Sequence, residues 1–170
     1  MVIIMEINAT TIYNHEVYRE FFRFNIFKGK KLLLDTILSL GIIISLVVFF
    51  MTKQFYPLVV FVVISFIINV FYFAMPKLTF KSAVRFMGIK NVFVFGNDEF
   101  KISTFGMKKN GTSIIKYSNL FKVYETPTFF FIYITKGQGF ALMKKDVTDG
   151  KPEQITKAIK KYIPQGRYMD

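Results

Sequence analysis

Two uninterrupted apolar runs dominate the pattern of this chain, residues 32–51 (LLLDTILSLGIIISLVVFFM) and 55–75 (FYPLVVFVVISFIINVFYFAM). Each is close to the ~20 residues that an α-helix needs to cross the hydrocarbon core of a bilayer. Only Thr52, Lys53 and Gln54 separate them, so the second run returns antiparallel to the first and both chain ends finish on one side. The pattern predicts a transmembrane helical hairpin over residues 32–75.

The polar remainder is arranged around that anchor. Residues 1–11 open with a β-branched apolar run and then alternate, which predicts a strand ending before Asn14, a residue able to cap the next helix. From His15 the apolar positions Val17, Tyr18, Phe21, Phe22, Phe24 and Phe27 form a broad face, with Glu16, Arg19, Glu20 and Arg23 mostly opposite. Such a helix either lies in the membrane interface, held by its rings and by Lys28, Lys30 and Lys31, or packs on the C-terminal part of the chain. Pro57 stands where the second span begins and Pro76 is expected to end it, leaving residues 76–90 as a basic juxtamembrane linker.

Beyond Gly88 the period changes to two. Six runs rich in Phe, Ile, Val and Tyr, at 91–95, 100–104, 112–117, 121–125, 129–135 and 140–144, alternate with turn residues such as Gly96-Asn97-Asp98 and Gly137-Gln138-Gly139. Pro152 then starts an amphipathic helix with Ile155, Ala158, Ile159, Tyr162 and Ile163 at the 3,4 spacing, closed by Pro164. Six strands and this helix predict a small antiparallel barrel capped by its C-terminal amphipathic helix, with residues 2–8 as a candidate seventh strand. The expected organisation is membrane α+β: an N-terminal strand and helix over 1–31, the hairpin over 32–75, the linker over 76–90 and a cytoplasmic domain over 91–170.

Charge orients the hairpin. Of a formal net charge of +12, residues 1–31 hold five Lys/Arg against three Glu and residues 76–170 hold seventeen against seven, while residues 32–75 balance Lys53 against Asp35. Positive residues are retained on the cytoplasmic side of short membrane-flanking segments, and Lys28, Lys30, Lys31, Lys77, Lys81 and Arg85 outnumber Lys53 in the loop. The chain is therefore expected to be a multi-pass protein of the cytoplasmic (inner) membrane with both termini in the cytoplasm. Those six cations are the candidate contacts to anionic lipid headgroups. There is no cysteine, which excludes a disulfide framework and a thiolate metal site. The first apolar run starts too far from the N-terminus to read as a signal peptide.

Within the hairpin the short loop places Gly41 level with Ser65 and Asn69 level with Ile37. Gly41 and Ser45 form a small-xxx-small pair that permits close backbone approach, and Ser65 and Asn69 share a face. Asn69 is expected to reach Ser39 or Asp35 across the pair, because an unpaired amide in hydrocarbon is costly. Asp35, an ionisable group within a span, is by default a functional candidate. Its place one turn from the span's end, four residues after Lys31, also admits an interfacial ion pair. The candidate packing set is Asp35, Gly41, Ser45, Ser65 and Asn69.

The stretch Tyr117-Ser118-Asn119-Leu120-Phe121-Lys122-Val123-Tyr124-Glu125-Thr126, followed by the aromatic strand 129–134 and by Ala141-Leu142-Met143-Lys144-Lys145-Asp146, resembles the YcxB-like family of small bacterial membrane proteins. The order of parts is similar as well, with a short N-terminal segment, a two-helix hairpin and a C-terminal domain. Asn119 departs from the acidic residue expected there. The resemblance implies a pleckstrin-homology-like seven-strand barrel with a C-terminal helix and an inner-membrane address, and it carries no catalytic residues.

Chemistry-bearing residues are few and dispersed. His15 is the only histidine and the acidic residues are scattered, so no metal set and no Ser/Cys-His pair assembles. Gly137-Gln138-Gly139 has neither the following helix nor the Lys-Ser/Thr of a phosphate loop. No cofactor is expected. Lys108, Lys109, Lys144 and Lys145 form a candidate partner-binding rim on the barrel. The expected function is a non-enzymatic, membrane-anchored binding module that recognises lipid headgroups or a protein partner. The alternative is a bacteriocin immunity protein that defends against membrane-active peptides. Membrane lipids, another membrane protein or a membrane-active peptide are the expected partners; nucleic acid is not, and the hairpin can oligomerise.

Overall fold

The computed structural model describes residues 6–27, 31–83, 87–106 and 110–170. The chain divides into two compact units, residues 18–84 and residues 1–17 with 85–170. Helix α1 (His15–Phe27) begins in one unit and continues in the other, followed by α2 (Lys31–Thr52) and α3 (Tyr56–Ala83). Asn14 caps α1, its Oδ1 accepting the Val17 N–H at 2.9 Å.

Both α2 and α3 contain a segment long and apolar enough to cross a membrane, Leu32–Thr52 and Tyr56–Phe80. Their outward side chains, including Ile43, Val47, Phe50, Val63, Phe66 and Ile67, are exposed. A continuous apolar surface of that kind is what a soluble protein avoids. Helix α2 stops where Lys53 turns left-handed (φ 59°) while its N–H still bonds the Phe49 carbonyl at 2.7 Å. Pro57 then occupies the first turn of α3, where a missing N–H costs nothing.

Polar side chains in these helices bond back along their own backbone. The Thr36 hydroxyl donates to the Leu32 carbonyl (2.9 Å), Ser45 to Gly41 (2.7 Å) and the Asn69 amide to Ser65 (2.9 Å). The carbonyl one turn earlier is the acceptor that helix geometry always supplies. Pro76, expected to end the second span, lies inside α3 instead, and the helix continues to Ala83. A proline removes one backbone bond and crowds one carbonyl, at a cost of ~3 kcal/mol or more. The turns on either side keep their own bonds, and the Thr79 hydroxyl adds one to the Met75 carbonyl at 2.8 Å. Residues 76–83 of the expected linker are therefore helix.

The other unit is built from two four-stranded sheets. Strands β1 (Ile7–Ile12), β2 (Lys90–Phe95), β3 (Glu99–Phe105) and β4 (Gly111–Lys116) form an antiparallel meander in that order. Strands β5 (Lys122–Glu125), β6 (Phe129–Tyr133), β7 (Gly139–Met143) and β8 (Tyr168–Met169) form the second, ordered β7-β6-β5-β8, with β8 parallel to β5. Alternation places Ile7, Ala9, Phe93, Phe95, Phe100 and Ile102 inward, and the rings of Phe93, Phe95 and Phe100 stack on one another. Strand β6 is buried along its whole length. Helix α4 (Pro152–Tyr162) adds Ile155, Ala158 and Ile159 to the same core.

The six sequence runs are thus strands β2 to β7, but the expected barrel does not close. The eight strands pair as two separate sheets. At one seam β1 tacks them together: Ala9 bridges Val147, and Asn8 O accepts the Thr148 N–H at 2.9 Å. At the other, the short helical turn Tyr117–Asn119 carries the chain from β4 to β5, and β4 stays almost wholly exposed. There Tyr117, buried with its hydroxyl on the Gly96 carbonyl (2.9 Å), packs in one cluster with Leu120 and the apolar face of α4. The two sheets share this core without pairing along that seam.

Candidate functional site

The strongest concentration of interacting charge in the sheet unit surrounds the end of β5. Glu125 is the last residue of that strand, before the turn Thr126-Pro127-Thr128, which is held by the Thr126 N–H donating to the Phe129 carbonyl and by the Phe129 N–H donating to the Thr126 hydroxyl, each at 2.9 Å. Burial of Ile155, Ala158 and Ile159 turns the opposite face of α4, with Glu153, Thr156, Lys157 and Lys160, toward the same place. The chain then reverses at Gly166 (φ 79°), and the Arg167 carbonyl accepts the Val123 N–H at 2.8 Å, which sets Tyr168 and Met169 beside β5. These elements enclose an open cleft of about 460 Å³ lined by Glu125, Thr126, Pro127, Lys144, Glu153, Thr156, Lys157, Lys160 and Asp170.

Glu125 is the centre of its polar network. Oε1 accepts from Lys144 Nζ at 2.7 Å, and Oε2 accepts from Thr156 Oγ1 at 3.0 Å and from the Tyr168 hydroxyl. Burial by itself would raise the carboxyl's pKa, but the bonds from Lys144, Tyr168 and Thr156 together outweigh it and hold the group below its ordinary value. Burial, and then the bond to Glu125, push the Tyr168 phenol well above its ordinary value. Lys144 also lies over the Phe130 ring at 5.0 Å, and Lys160 lies over Tyr168 at 4.7 Å while bonding Asp170 at 2.7 Å. The cleft therefore balances three lysines, 144, 157 and 160, against three carboxylates, 125, 153 and 170. A carboxylate fully engaged as an acceptor has little tendency to take a proton, so Glu125 is suited to positioning rather than to proton transfer. Among the described residues no group of His, Asp or Glu side chains could hold a metal ion.

The residues expected from sequence are distributed differently. Lys28, Lys30, Arg85, Lys108 and Lys109 lie outside the described residues, as do the side chains of Lys31 and Lys81; Lys77 is exposed on α3. Of the expected rim, Lys144 is partly buried on Glu125 and Lys145 pairs with Glu16 at 3.4 Å in an exposed bridge. Lys144 is thus an internal counter-ion, because a largely enclosed carboxylate needs one. In the hairpin, a Cβ at Gly41 would come within 2.5 Å of the Phe61 ring, so Phe61, one turn nearer the loop than Ser65, covers it. Ser45 is buried, and the Ser65 carbonyl accepts from the Asn69 amide at 2.9 Å.

Sequence reasoning missed two groupings. Thr156 reaches Glu125 from α4, while Tyr168 and Asp170 reach the cleft only through the chain reversal at Gly166, for which a short Pro164–Gly166 turn was the available signal. In the helical unit, Arg19 and Arg23 share Glu20 at 3.1 and 3.3 Å, and Arg23 stands over the rings of Tyr72 and Phe73. The Arg19-Glu20-Arg23 spacing was legible as a helix pair, but its aromatic platform was not.

Strands β3 to β7, the short helical turn that enters β5 and the charged end of β5 lie within one continuous stretch of the chain. Residues 95–159 match the YcxB-like protein family. The YcxB-like segment runs from the last residue of β2 into α4 and carries Glu125, Lys144, Thr156 and Lys157 of the cleft. Strand β1, the hairpin and the residues Lys160, Tyr168 and Asp170 lie outside the match. No curated protein and no solved structure matches the chain.

Proposed function

We propose that this chain is a non-enzymatic binding module anchored in the bacterial inner membrane by α2 and α3, with both termini cytoplasmic. The observation that carries this is the pair of span-length helices joined by three residues and apolar on their exposed faces. The Lys/Arg excess in the segments flanking the hairpin supports the orientation. The sheet unit is pleckstrin-homology-like in this proposal: a four-stranded meander and a second, mainly antiparallel sheet share a core that a C-terminal helix covers.

The cleft beside β5 and α4 is the proposed recognition surface. Its equal numbers of lysines and carboxylates fit a protein segment of mixed charge better than a uniformly anionic lipid surface, which would meet Glu125, Glu153 and Asp170 as repulsive groups. Lipid contact then falls to the hairpin and its basic flanks.

The absence of cysteine allows a direct test. Single cysteines at 54 and 170 are probed with a membrane-impermeant maleimide in intact spheroplasts. Position 54 should label at once and position 170 only after permeabilisation; the reverse pattern would reject the orientation. A photo-crosslinking residue at 157 should capture a protein in intact membranes. Capture of lipid alone, at the same yield in the E125A variant, would reject the cleft as a protein site.

A further inference from the structure

Arg23 is an enclosed cation whose bonding is incomplete. Its guanidinium carbon lies 4.8 Å from the centroid of the Tyr72 ring and 5.2 Å from that of Phe73, and its side chain is 17% exposed. Nη1 reaches Glu20 Oε1 at 3.3 Å, but the same oxygen also takes Arg19 Nε at 3.1 Å. One carboxylate thus serves two guanidiniums, and the trio carries a net positive charge. Arg23 Nε is buried, and no acceptor among the described residues reaches it. An unmade bond on a buried charged donor is costlier than on a neutral one.

The position of Arg23 along the helices identifies the chemistry of a suitable acceptor. The Tyr18 hydroxyl donates to Thr79 Oγ1 at 2.9 Å, and the Phe27 ring meets Tyr72 at 5.2 Å. Helix α1 therefore runs along the end of α3 from the level of Thr79 to that of Tyr72. Tyr72 and Phe73 come just before Pro76 and the exposed Lys77, at the depth where aromatic side chains sit among lipid headgroups. The abundant acceptors at that depth are lipid phosphates.

We propose that Arg23 is a phospholipid-binding residue. Its Nη2–H lies on the edge of the fork that Glu20 does not use and takes a headgroup phosphate, and a small outward turn of the side chain brings the now-enclosed Nε–H onto the same phosphate. The rings of Tyr72 and Phe73 fix the guanidinium plane, and Arg19 supplies a second cation. Arginine grips phosphate through two parallel N–H bonds, which lysine cannot reproduce. The net positive charge of the trio favours an anionic glycerophospholipid over a zwitterionic one. This site rests on the membrane insertion of α2 and α3 proposed above.

The test uses the full chain in a phosphate-free detergent, titrated with short-chain phosphatidylglycerol, phosphatidylcholine or inorganic phosphate. Native mass spectrometry counts bound lipid, and thermal unfolding with and without lipid is followed in parallel. Phosphatidylglycerol should bind more tightly than phosphatidylcholine. Arg23→Lys and Arg23→Met should each weaken its binding roughly tenfold, the loss expected of one charge-assisted bond, while Lys136→Gln, an exposed lysine of the sheet unit, leaves it unchanged. Methionine covers the same rings, so the lipid-free midpoint of that variant should hold, which separates loss of ligand from misfolding. Equal lipid retention by wild type and Arg23→Met would overturn the site, and so would inorganic phosphate binding as tightly as the lipid. If the wild-type chain leaves the membrane fraction on alkaline extraction, the anchor itself is wrong. If it stays while Arg23→Met still binds lipid normally, only the site fails.

Discussion

Replacing Glu125 by alanine removes the acceptor of three bonds at once, from Lys144, Thr156 and Tyr168. A hydrogen bond to a charged group contributes about 1.5–3 kcal/mol net. The three losses are not additive, because they share one carboxylate. Lys144, whose side chain is already 21% exposed, can swing into water, whereas Tyr168 and Thr156 lose an acceptor in a part-buried site. The expected cost is therefore nearer one strong bond than three, about 2–3 kcal/mol. For a unit of this size each kcal/mol moves the midpoint by roughly 4–8 °C, so a fall of about 10–20 °C follows. Thermal unfolding of the full chain in detergent, followed by near-ultraviolet circular dichroism of its tyrosines, reads that change. Glu125→Gln should fall between, since glutamine keeps an acceptor for Tyr168 or Thr156 but loses the ion pair. In a double-mutant cycle, Lys144→Met on the alanine background should cost less than on wild type. A fall of less than about 2 °C for the alanine variant, with no coupling to Lys144, would refute the picture of an enclosed network and leave Glu125 a solvated surface group.

The same carboxylate predicts the acid sensitivity of the sheet unit. Its pKa is lower folded than unfolded, so its contribution is present above the ordinary carboxylate range and is lost as pH falls through the folded value; the Glu125→Ala variant should show a flatter acid limb in a pH series of midpoints. Tyr117→Phe deletes a buried bond to the Gly96 carbonyl and should cost about 1 kcal/mol, visible in the same melts, with no change in the helical unit. Gly41→Leu forces a side chain into the space of the Phe61 ring and should loosen α2 from α3 by about 1–3 kcal/mol; adding Phe61→Ala should recover most of the loss, as read by cross-linking of paired cysteines in membranes.

What the pattern of residues reveals and what it hides follow from the range of the interactions. Strands β2 to β7 were legible because period-two alternation and the glycine- and asparagine-rich turns are local, and α4 because its apolar spacing, Pro152 and Pro164 are local too. The two span-length runs were legible from length and hydropathy alone. Barrel closure was not, because it depends on whether Tyr117, Leu120 and α4 occupy a seam, a packing outcome between distant segments. Pro76 misled because a breaker rule treats the proline in isolation, while the turns on both sides of it outweigh one lost bond. Lys144 looked like a free surface cation for a similar reason: its partner Glu125 lies nineteen residues earlier, brought near by the β6–β7 hairpin. The bonds of the Ser45 hydroxyl and the Asn69 amide to the carbonyl one turn earlier are local, since that carbonyl is the acceptor nearest to a short polar side chain in a helix.

The placement of β1 has the furthest consequence for how the unit holds together, and Thr11 tests it. Strand β1 is distant in sequence from every strand it touches, pairing with β2 from Ile7↔Phe95 to Ile12↔Lys90. Thr11, fully buried, lies where β1 leaves its own sheet and meets the second: Oγ1 donates to Asp146 Oδ2 at 2.7 Å and accepts from the Met143 N–H at 3.3 Å. One hydroxyl thus satisfies a carboxylate and the last backbone donor of β7, joining the two sheets where no barrel closure does so. Thr11→Val keeps the shape and removes both bonds, stranding a buried N–H and weakening the seat of Asp146. The expected cost is about 1–3 kcal/mol, the desolvation cost of an unsatisfied group rather than the smaller net value of a bond. Thr11→Ser should cost less, because it keeps the hydroxyl and loses only a methyl group. Hydrogen exchange then distinguishes a seam from a general loss of stability. If Thr11 joins the sheets, the Met143 and Val147 amides should lose protection in the valine variant before those of β2 and β3. Uniform loss across both sheets, or valine no worse than serine, would mean that β1 is held by its pairing with β2 alone and that the second sheet closes without it.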